Sequence, residues 1–225
     1  MAVLITGVSR GIGKEIVDQY RDAGESVIAI GRGEGVSVER DGDHIYIGFD
    51  WSQFDLLGQR LKEEGISVDR VINNAGLLIK DEIGDVDYND FAEQMRVNVW
   101  NVMSLFRSLY RNGILASGSH IVSIGSMGGV QGALKFPGLF AYSASKAALV
   151  ALTESLDAEY GAEGLSFNCL ALGAVNTEML KEAFPGYISE VDPEKMAEYI
   201  RSFVDGSGKM MSGKVIQVSK SNPEA

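Results

Sequence analysis

Short runs of Val, Ile and Leu alternate along the chain with longer segments in which apolar residues recur every three or four positions. The apolar runs mostly lack strict alternation with polar residues, which is typical of strands that are covered on both faces of a sheet. They predict strands at residues 2–5, 26–30, 44–49, 70–73, 120–124, 165–170 and 214–218. The periodic segments predict helices at residues 12–23, 53–64, 88–112, 142–163 and 193–205. Strands that alternate with helices predict an α/β fold with a doubly wound, parallel sheet of about seven strands and helices on both faces.

The connection between the second and third predicted strands departs from this alternation. Residues 33–43 are too few and too rich in glycine for a full helix. The segments 36–38 and 44–47 flank an Asp41-Gly42 turn signal, which favours a β-hairpin. A disordered loop is the other interpretation, and the sequence does not decide between the two.

The composition is that of an ordinary globular protein. The chain has 225 residues, of which 45% are apolar and 23% charged, and this suits one domain that spans residues 1–225. The net charge of −11 argues against a nucleic-acid or anionic-membrane surface, because phosphates require clustered Lys and Arg. It disfavours, to a lesser degree, a strongly acidic partner protein. A small anionic ligand stays possible because a single Arg or a helix N-terminus can bind it.

Cysteine and histidine are scarce. The single cysteine, Cys169, excludes an intramolecular disulfide and a cysteine-based metal site. The two histidines, His44 and His120, are far apart in sequence, so we expect no metal site. We see no signal-peptide pattern and no apolar run of membrane-spanning length, and therefore expect a cytoplasmic protein.

A glycine-rich segment joins the first strand to the first helix. Residues 6–13 read Thr-Gly-Val-Ser-Arg-Gly-Ile-Gly. Glycines let the backbone approach a pyrophosphate, and a helix N-terminus supplies N–H groups and a positive dipole end. The candidate cofactor-binding residues here are Gly7, Ser9, Arg10, Gly11, Ile12 and Gly13.

Tyr142 and Lys146 are the strongest candidates for acid–base chemistry. Their four-residue spacing places them on one face of a helix. A nearby ammonium is expected to lower the tyrosine pKa from about 10, which would give a proton donor near neutral pH without histidine. The spacing alone is common in helices, so the assignment depends on the rest of the chain.

Taken together, the ordered motifs resemble those of the short-chain dehydrogenase/reductase family. Residues 6–13 match its Thr-Gly-x-x-x-Gly-x-Gly pattern, and residues 73–76 match its Asn-Asn-Ala-Gly. Asn98 matches its helix asparagine, Ser126 its serine at a strand end, and Tyr142 with Lys146 its Tyr-x-x-x-Lys. The resemblance covers nearly the whole chain and implies a Rossmann fold.

The resemblance also implies catalytic roles. Tyr142 would be the general acid for carbonyl reduction and the base for alcohol oxidation, while Lys146 would bind the nicotinamide ribose. Ser126 would hold the substrate oxygen. Asn98 would anchor a water that relays protons to Lys146; the other interpretation is an amide that satisfies backbone groups at a helix kink.

The loop before Tyr142 departs from the family. Ser126 lies sixteen residues before Tyr142, whereas about thirteen is usual in the family. Ser123 is the competing serine, and strand alternation favours Ser126. The extra residues fall near Leu134 and Phe136, which would line the substrate pocket or form a surface loop.

The resemblance assigns further cofactor contacts. Residues Asn74, Ala75 and Gly76 would contact the adenosine side through the main chain, and Asp50 would accept from the adenine amino group. Trp51 would pack near that ring or serve as ordinary helix-cap packing. Val175, through its main chain, and Thr177 would bind the carboxamide. Leu172 stands where the family has proline, so the backbone N–H is retained and we expect a looser turn.

The end of the second strand bears on cofactor choice. NAD enzymes place Asp or Glu there to bind the ribose 2′-hydroxyl. Here Gly31 occupies that position and Arg32 follows, while Arg10 lies in the glycine segment. Two guanidinium groups can clamp a 2′-phosphate, so we expect NADP(H) rather than NAD(H). A solvated loop residue is the other interpretation of Arg32.

The sequence thus predicts an oxidoreductase that transfers hydride between NADP(H) and a small-molecule carbonyl or alcohol. A non-enzymatic NADP(H)-binding sensor or scaffold is the alternative. We expect a homodimer or homotetramer, with Phe106, Leu149 and Leu152 available for subunit contacts or for the sheet. An apolar set would cover the substrate or belong to the core: Met179, Leu180, Phe184 and Tyr187.

Overall fold

A computed structural model of the chain describes residues 1–33 and 36–220, and for Val36 the backbone alone. The strands are β1 (Ala2–Thr6), β2 (Val27–Arg32), β3 (Val36–Asp41), β4 (His44–Phe49), β5 (Val68–Asn73), β6 (Leu115–Ser126), β7 (Ser166–Leu172) and β8 (Lys214–Val218). The helices are α1 (Gly11–Asp22), α2 (Phe54–Glu63), α3 (Tyr88–Met95), α4 (Asn101–Arg111), α5 (Phe140–Tyr160), α6 (Glu178–Ala183) and α7 (Pro193–Ser207).

The eight strands form one sheet in the order β3-β4-β2-β1-β5-β6-β7-β8. Every neighbouring pair is parallel except β3 and β4. The strand order reverses on the two sides of β1, as in a doubly wound sheet. The predicted α/β fold is therefore confirmed, and β3 is the strand that the alternation did not predict.

The unusual connection after β2 is a β-hairpin. Strand β3 pairs antiparallel with β4, with Val38 opposite Ile47 and Asp41 opposite His44. Gly42, in the two-residue turn, has a φ of 59°, a conformation that favours glycine. The hairpin interpretation is thus confirmed over residues 36–49. Residues 34–35 lie outside the described part of the chain.

Apolar side chains cover both faces of the sheet, which explains why the strands read as continuous apolar runs. On one face the strands pack against α2, α4 and α5, and on the other against α1 and α7. Phe106 and Leu149 are buried, and Leu152 packs against the first of these cores. Phe106 and Leu152 therefore face the sheet, as the second interpretation has it, while Leu149 is buried outside both cores.

A π-helical turn interrupts the long helix predicted at residues 88–112. Helix α3 leads into the turn at Arg96–Trp100, and α4 continues from it. π-turns of this kind frequently occur at functional sites, and this one contains Asn98. None of the helices in the described ranges has the length and hydropathy of a membrane span.

The pKa of His120 can be used to test how the chain packs at the amino-terminal ends of the strands. Its Nδ1 lies 2.9 Å from the Val204 carbonyl oxygen, so Nδ1 carries the proton and Nε2 accepts from the Asn168 amide at 2.9 Å. A proton added at Nε2 would face this amide donor. Burial lowers the pKa of His120 below 6.5, and the bond to Val204 and the charge of Asp205 oppose this shift only in part.

The unfolded chain therefore binds this proton more tightly than the folded chain. The stabilisation is fully present above about pH 6.5 and is lost as the pH falls, and each tenfold loss of proton affinity on folding contributes about 1.4 kcal/mol. We expect the free energy of unfolding in urea to fall less between pH 7.5 and pH 5.5 in His120→Gln than in the wild type. An NMR titration that places the pKa of His120 above 6.5 would contradict this.

Candidate active site

The candidate site lies at the carboxyl edge of the sheet. The segments after β1, β5, β6 and β7 all leave from this edge and contain the predicted motifs. In doubly wound sheets, ligands bind outside the carboxyl ends of the strands where the strand order reverses. Here the reversal lies at β1, directly before the glycine-rich segment.

The glycines of residues 6–13 allow two loops to touch. Gly7 has a φ of 72°, and a Cβ on it would lie 2.6 Å from the Cα and 2.8 Å from the nitrogen of Ala75. A Cβ on Gly13 would overlap the Gly7 carbonyl oxygen and the Asn74 side chain. Any larger residue would therefore separate the loops that follow β1 and β5.

The start of α1 is open toward the same edge. Arg10 precedes the helix in an extended conformation, and its side chain makes no capping hydrogen bond. Ser9 and Arg10 are exposed, while Gly11 and Ile12 are half-buried in the first turn. The first N–H groups of α1 are thus available to an anion.

Asn74 joins the two loops through its side chain. Its amide nitrogen donates to the carbonyl oxygens of Thr6 at 3.1 Å and Gly7 at 3.0 Å. The Thr6 hydroxyl in turn accepts from the backbone N–H groups of Asn74 and Ala75, at 3.1 and 3.0 Å. The amide nitrogen of the Asn74 side chain is thus engaged within the protein.

Ser126, Tyr142 and Lys146 converge at the end of β6. The Ser126 side chain lies close enough to the Tyr142 hydroxyl to influence its pKa, and Ser126 Oγ accepts from the Gly128 N–H at 3.1 Å. Lys146 is buried and donates to the Ile124 carbonyl oxygen at 2.9 Å, with its ammonium 5.7 Å from the centre of the Tyr142 ring. Ser123, the competing serine, is buried and lies 3.5 Å from the Asn73 amide. The geometry therefore places Ser126, and not Ser123, beside the tyrosine.

The pKa values of Tyr142 and Lys146 differ from the expectation that the ammonium lowers the pKa of the tyrosine. Burial raises the pKa of Tyr142 above 10, and the nearby Ser126 side chain opposes the shift. Burial also lowers the pKa of Lys146 to about 8. The expected lowering of the tyrosine pKa is therefore wrong for the polypeptide by itself, because the burial of the phenol sets the direction of the shift. Tyr142 is a protonated phenol at neutral pH.

Asn98 has its side chain committed to protein groups. Its Oδ1 accepts from the Leu77 backbone N–H at 2.8 Å, and its Nδ2 donates to the Leu77 carbonyl and the Ser145 hydroxyl, each at 2.8 Å. This agrees with an amide that satisfies backbone groups at a kink. A Cβ on Gly76 would lie 3.4 Å from both Asn98 Oδ1 and Lys146 Nζ, so these two groups face the same small space.

Sequence reasoning missed Gln94, one turn before Asn98. It is fully buried, and its Oε1 accepts from the Ile79 backbone N–H at 3.0 Å. Gln94 and Asn98 together fix the segment that follows Gly76. Their four-residue spacing on the predicted helix was the available signal.

The segment after β7 comes close to the glycine-rich loop. The methyl group of Thr177 would lie 3.4 Å from a Cβ on Gly11. Thr177 also caps α6, since its hydroxyl accepts from the Leu180 N–H at 3.2 Å, and its own N–H donates to the Val175 carbonyl at 2.7 Å. Leu172 is the last residue of β7, where it pairs with Val218.

The remaining cofactor candidates lie around the ends of β2 and β4. Arg32 is exposed at the end of β2, and Gly31 beside it carries no side chain that would repel a phosphate. Asp50 Oδ1 accepts from the Ser52 N–H and hydroxyl, which lowers the pKa of Asp50. Trp51 packs edge-to-face against Phe49 and Phe54, at 5.6 and 5.8 Å between ring centres. These contacts agree with the interpretation of Trp51 as a residue of ordinary helix-cap packing.

The fold and this arrangement together define a nucleotide-binding oxidoreductase of the α/β class. A family model described as short chain dehydrogenase matches residues 1–187. The chain belongs to the short-chain dehydrogenase family, whose members act on CH–OH and C=O groups of small molecules.

Relatives and solved structures agree with this assignment. A 1-hydroxy-2-glutathionyl-2-methyl-3-butene dehydrogenase of Rhodococcus sp. strain AD45 is 28% identical over 215 residues, which cover 94% of each chain. A 3-oxoacyl-(acyl-carrier-protein) reductase of Chlamydia muridarum is 28% identical over 191 residues, covering 80% of this chain and 76% of the relative. The crystal structure of a short chain dehydrogenase family protein from Francisella tularensis has a TM-score of 0.82 at 25% identity and covers 97% of this chain and 96% of that chain.

Two further structures contain nicotinamide cofactors. A short chain dehydrogenase of Burkholderia cenocepacia in complex with NADP has a TM-score of 0.79 at 22% identity, and a 4-hydroxyisoleucine dehydrogenase complexed with NADH has 0.77 at 22%. Each comparison covers 97% of this chain and 96% of the other. At this identity the likeness shows the shared fold.

Proposed function

We propose that the chain catalyses reversible hydride transfer between NADP(H) and a carbonyl/alcohol pair, with Tyr142 as the proton donor to the carbonyl oxygen. The observation that supports this most directly is the convergence of Ser126, Tyr142 and Lys146 at the end of β6. The non-enzymatic alternative gains no support, because a binding protein has no need of this combination.

The residues fit a dinucleotide. The contact between Gly7 and Ala75 and the close approach at Gly13 leave a backbone-lined cradle, and α1 opens beside it without a side-chain capping bond from Arg10. Residues from Ser9 to Gly13 would hold the pyrophosphate, and Asp50 still has Oδ2 to accept from an adenine amino group. Val175 and Thr177 would hold the carboxamide. When bound, the nicotinamide supplies or accepts the hydride.

The chain's own residues would manage the substrate oxygen and its proton. Ser126 would donate a hydrogen bond to that oxygen and orient it toward Tyr142. Tyr142, held protonated at neutral pH, would deliver its proton as the oxygen gains charge. Lys146 would bind ribose hydroxyls across the space beside Gly76. Because the Asn98 side chain is engaged by Leu77 and Ser145, a water relay there would use its backbone carbonyl.

A panel of ketones and aldehydes, assayed with NADPH and with NADH, tests this function. We expect substrate-dependent oxidation of NADPH for at least one class of carbonyl compound. Tight cofactor binding, without turnover of any compound in either direction, would favour the sensor instead.

The cofactor preference rests on Arg10 and Arg32, which are both exposed near the carboxyl edge. Arg10→Ala and Arg32→Ala are each expected to raise the Kd for NADPH about tenfold, since a hydrogen bond to a charged group contributes about 1.5–3 kcal/mol and exposure reduces it. The Kd for NADH should stay within about twofold, because it lacks the 2′-phosphate.

Fluorescence titration of both cofactors provides the measurement. Arg111→Ala, at an exposed arginine at the end of α4, is the matched control and should change neither Kd. A wild-type protein that binds NADH more tightly than NADPH would overturn the proposed preference.

A further inference from the structure

Three segments around the candidate site meet at Lys80. Lys80 follows the stretch Leu77–Ile79, whose backbone N–H groups donate to Asn98 at 2.8 Å and to Gln94 at 3.0 Å. Both carboxamides are buried. The backbone that leads into Lys80 is therefore fixed by α3 and the π-turn, and its side chain starts from a defined position.

The Lys80 side chain reaches the end of α6. Its ammonium donates to the Ala183 carbonyl oxygen at 2.9 Å and lies 6.0 Å from the centre of the Phe184 ring. Ala183 is the last residue of α6, where carbonyl groups lack helical partners and the helix dipole favours a cation. The cation–π geometry adds to this attraction.

The lengthened loop before Tyr142 also contacts Lys80 and Phe184. Phe136 packs edge-to-face on Phe184, with ring centres 4.8 Å apart. At Gly138 a Cβ would lie 3.0 Å from Lys80 Cγ, and the Gly138 carbonyl accepts from the Asp81 N–H at 2.9 Å. We call Lys80, Phe136, Ala183 and Phe184 the Lys80 cluster.

The Lys80 cluster joins the segments that flank the site. Helix α6 begins at Thr177, beside Gly11 of the cofactor cradle, and ends at the cluster. The loop that carries Phe136 runs between Ser126 and Tyr142, and Lys80 lies four residues after Gly76. The cluster therefore ties α6 to the loop between Ser126 and Tyr142 and to the segment that follows Gly76, a cofactor-binding candidate.

We propose that the Lys80 cluster holds α6 against the substrate pocket and thereby makes the enzyme selective for compact, apolar, uncharged carbonyl compounds, an inference that rests on the proposed function. The two phenyl rings offer apolar surface. The nearby ammonium groups are bound to carbonyl oxygens, Lys80 by Ala183 and Lys135 by Val130 and Ala133.

The negative charge on the exposed side of α6 also disfavours an anionic substrate. Glu178 and Glu182 are exposed on this helix, and the chain carries a net charge of −11. Both features disfavour a thioester on a phosphorylated carrier, because like charges raise the free energy of association.

Amide hydrogen exchange tests the structural part of this proposal without any need for turnover. Lys80→Met keeps the length of the stem and removes the charge. It is expected to speed exchange across residues 180–187 about tenfold, since losing a hydrogen bond from a charged donor releases the end of α6. Lys181→Met, at an exposed lysine of the same helix, is the matched control and should leave exchange unchanged.

Substrate competition tests the selectivity. Cyclohexanone, the bulkier benzophenone and the anionic acetoacetyl-CoA are compared by kcat/KM in the wild type, Phe184→Ala and Phe136→Leu. The wild type should prefer cyclohexanone, and Phe184→Ala should shift the ratio toward benzophenone about tenfold, because removing the half-buried ring opens space. Phe136→Leu keeps most of the apolar volume and should give a smaller shift in the same direction.

Failure of the Lys80 proposal can be distinguished from failure of the proposed function. Unchanged exchange in Lys80→Met overturns the proposed role of the cluster, whatever the activity. A selective loss of acetoacetyl-CoA reduction in Lys80→Met also overturns it, because the ammonium would then bind substrate. Absence of turnover by the wild type with all carbonyl compounds contradicts the proposed function instead.

Discussion

Tyr142→Phe is expected to lower kcat for carbonyl reduction by about 10²–10⁴-fold, the usual contribution of a positioned general acid. The substitution removes only the hydroxyl that would deliver the proton and that lies near the Ser126 side chain. The cofactor Kd should change little, because Gly7 to Gly13 and Arg32 are untouched. Steady-state kinetics and a fluorescence titration of NADPH provide the two measurements.

Tyr160→Phe is the matched control for this loss. Tyr160 ends the same helix, α5, and its ring packs edge-to-face with Phe106 at 4.9 Å. The variant keeps that ring and should retain wild-type kcat. Turnover that survives Tyr142→Phe would contradict the assignment of the proton donor.

Gly13→Ala is expected to cost about 1–3 kcal/mol of stability, the usual penalty for overpacking, and to weaken cofactor binding at least tenfold. A Cβ at this position would overlap the Gly7 carbonyl oxygen and the Asn74 side chain. The loops after β1 and β5 would have to separate, and these loops form the cradle. Urea unfolding and cofactor titration would measure both effects.

Gly206→Ala is the control for an alanine in a helix. Gly206 lies in α7 with no atom within 4 Å of a Cβ placed on it. The substitution should stabilise the protein by about 0.4–1 kcal/mol, because it reduces the conformational entropy of the unfolded chain. Wild-type cofactor affinity in Gly13→Ala would contradict the proposed role of the cradle.

The sheet was largely predictable from the sequence because parallel strands buried on both faces must be apolar throughout. The sequence did not decide whether the eighth strand, β3, forms. Its residues Val36–Asp41 include Glu39, Arg40 and Asp41, and the strand lies at an edge of the sheet that is exposed to water. Helix α6 was missed because its six residues are too few to show a helical period. The π-turn depends on contacts of Asn98 with Leu77 and Ser145, which lie far from it in sequence.

The site was predictable where short motifs carry the chemistry, and less so where separate segments meet. Spacing placed Tyr142 and Lys146 on one helical face, but spacing says nothing about burial, which raises the pKa of the tyrosine. The bond from Lys146 to Ile124, and that from Lys80 to Ala183, join segments whose approach only the folded chain defines. Such contacts leave no local pattern in the sequence.

Direct hydride transfer is the core of the proposed function, and isotope labelling follows the hydride itself. NADPH that carries deuterium at C4, prepared as each of the two epimers, is incubated with a carbonyl substrate and the wild-type protein, and the alcohol is analysed by mass spectrometry. We predict that deuterium from one epimer alone appears on the carbinol carbon and that none appears with Tyr142→Phe over the same time. Alcohol formed without deuterium from either epimer, or no alcohol from any carbonyl compound, would contradict hydride transfer by this protein.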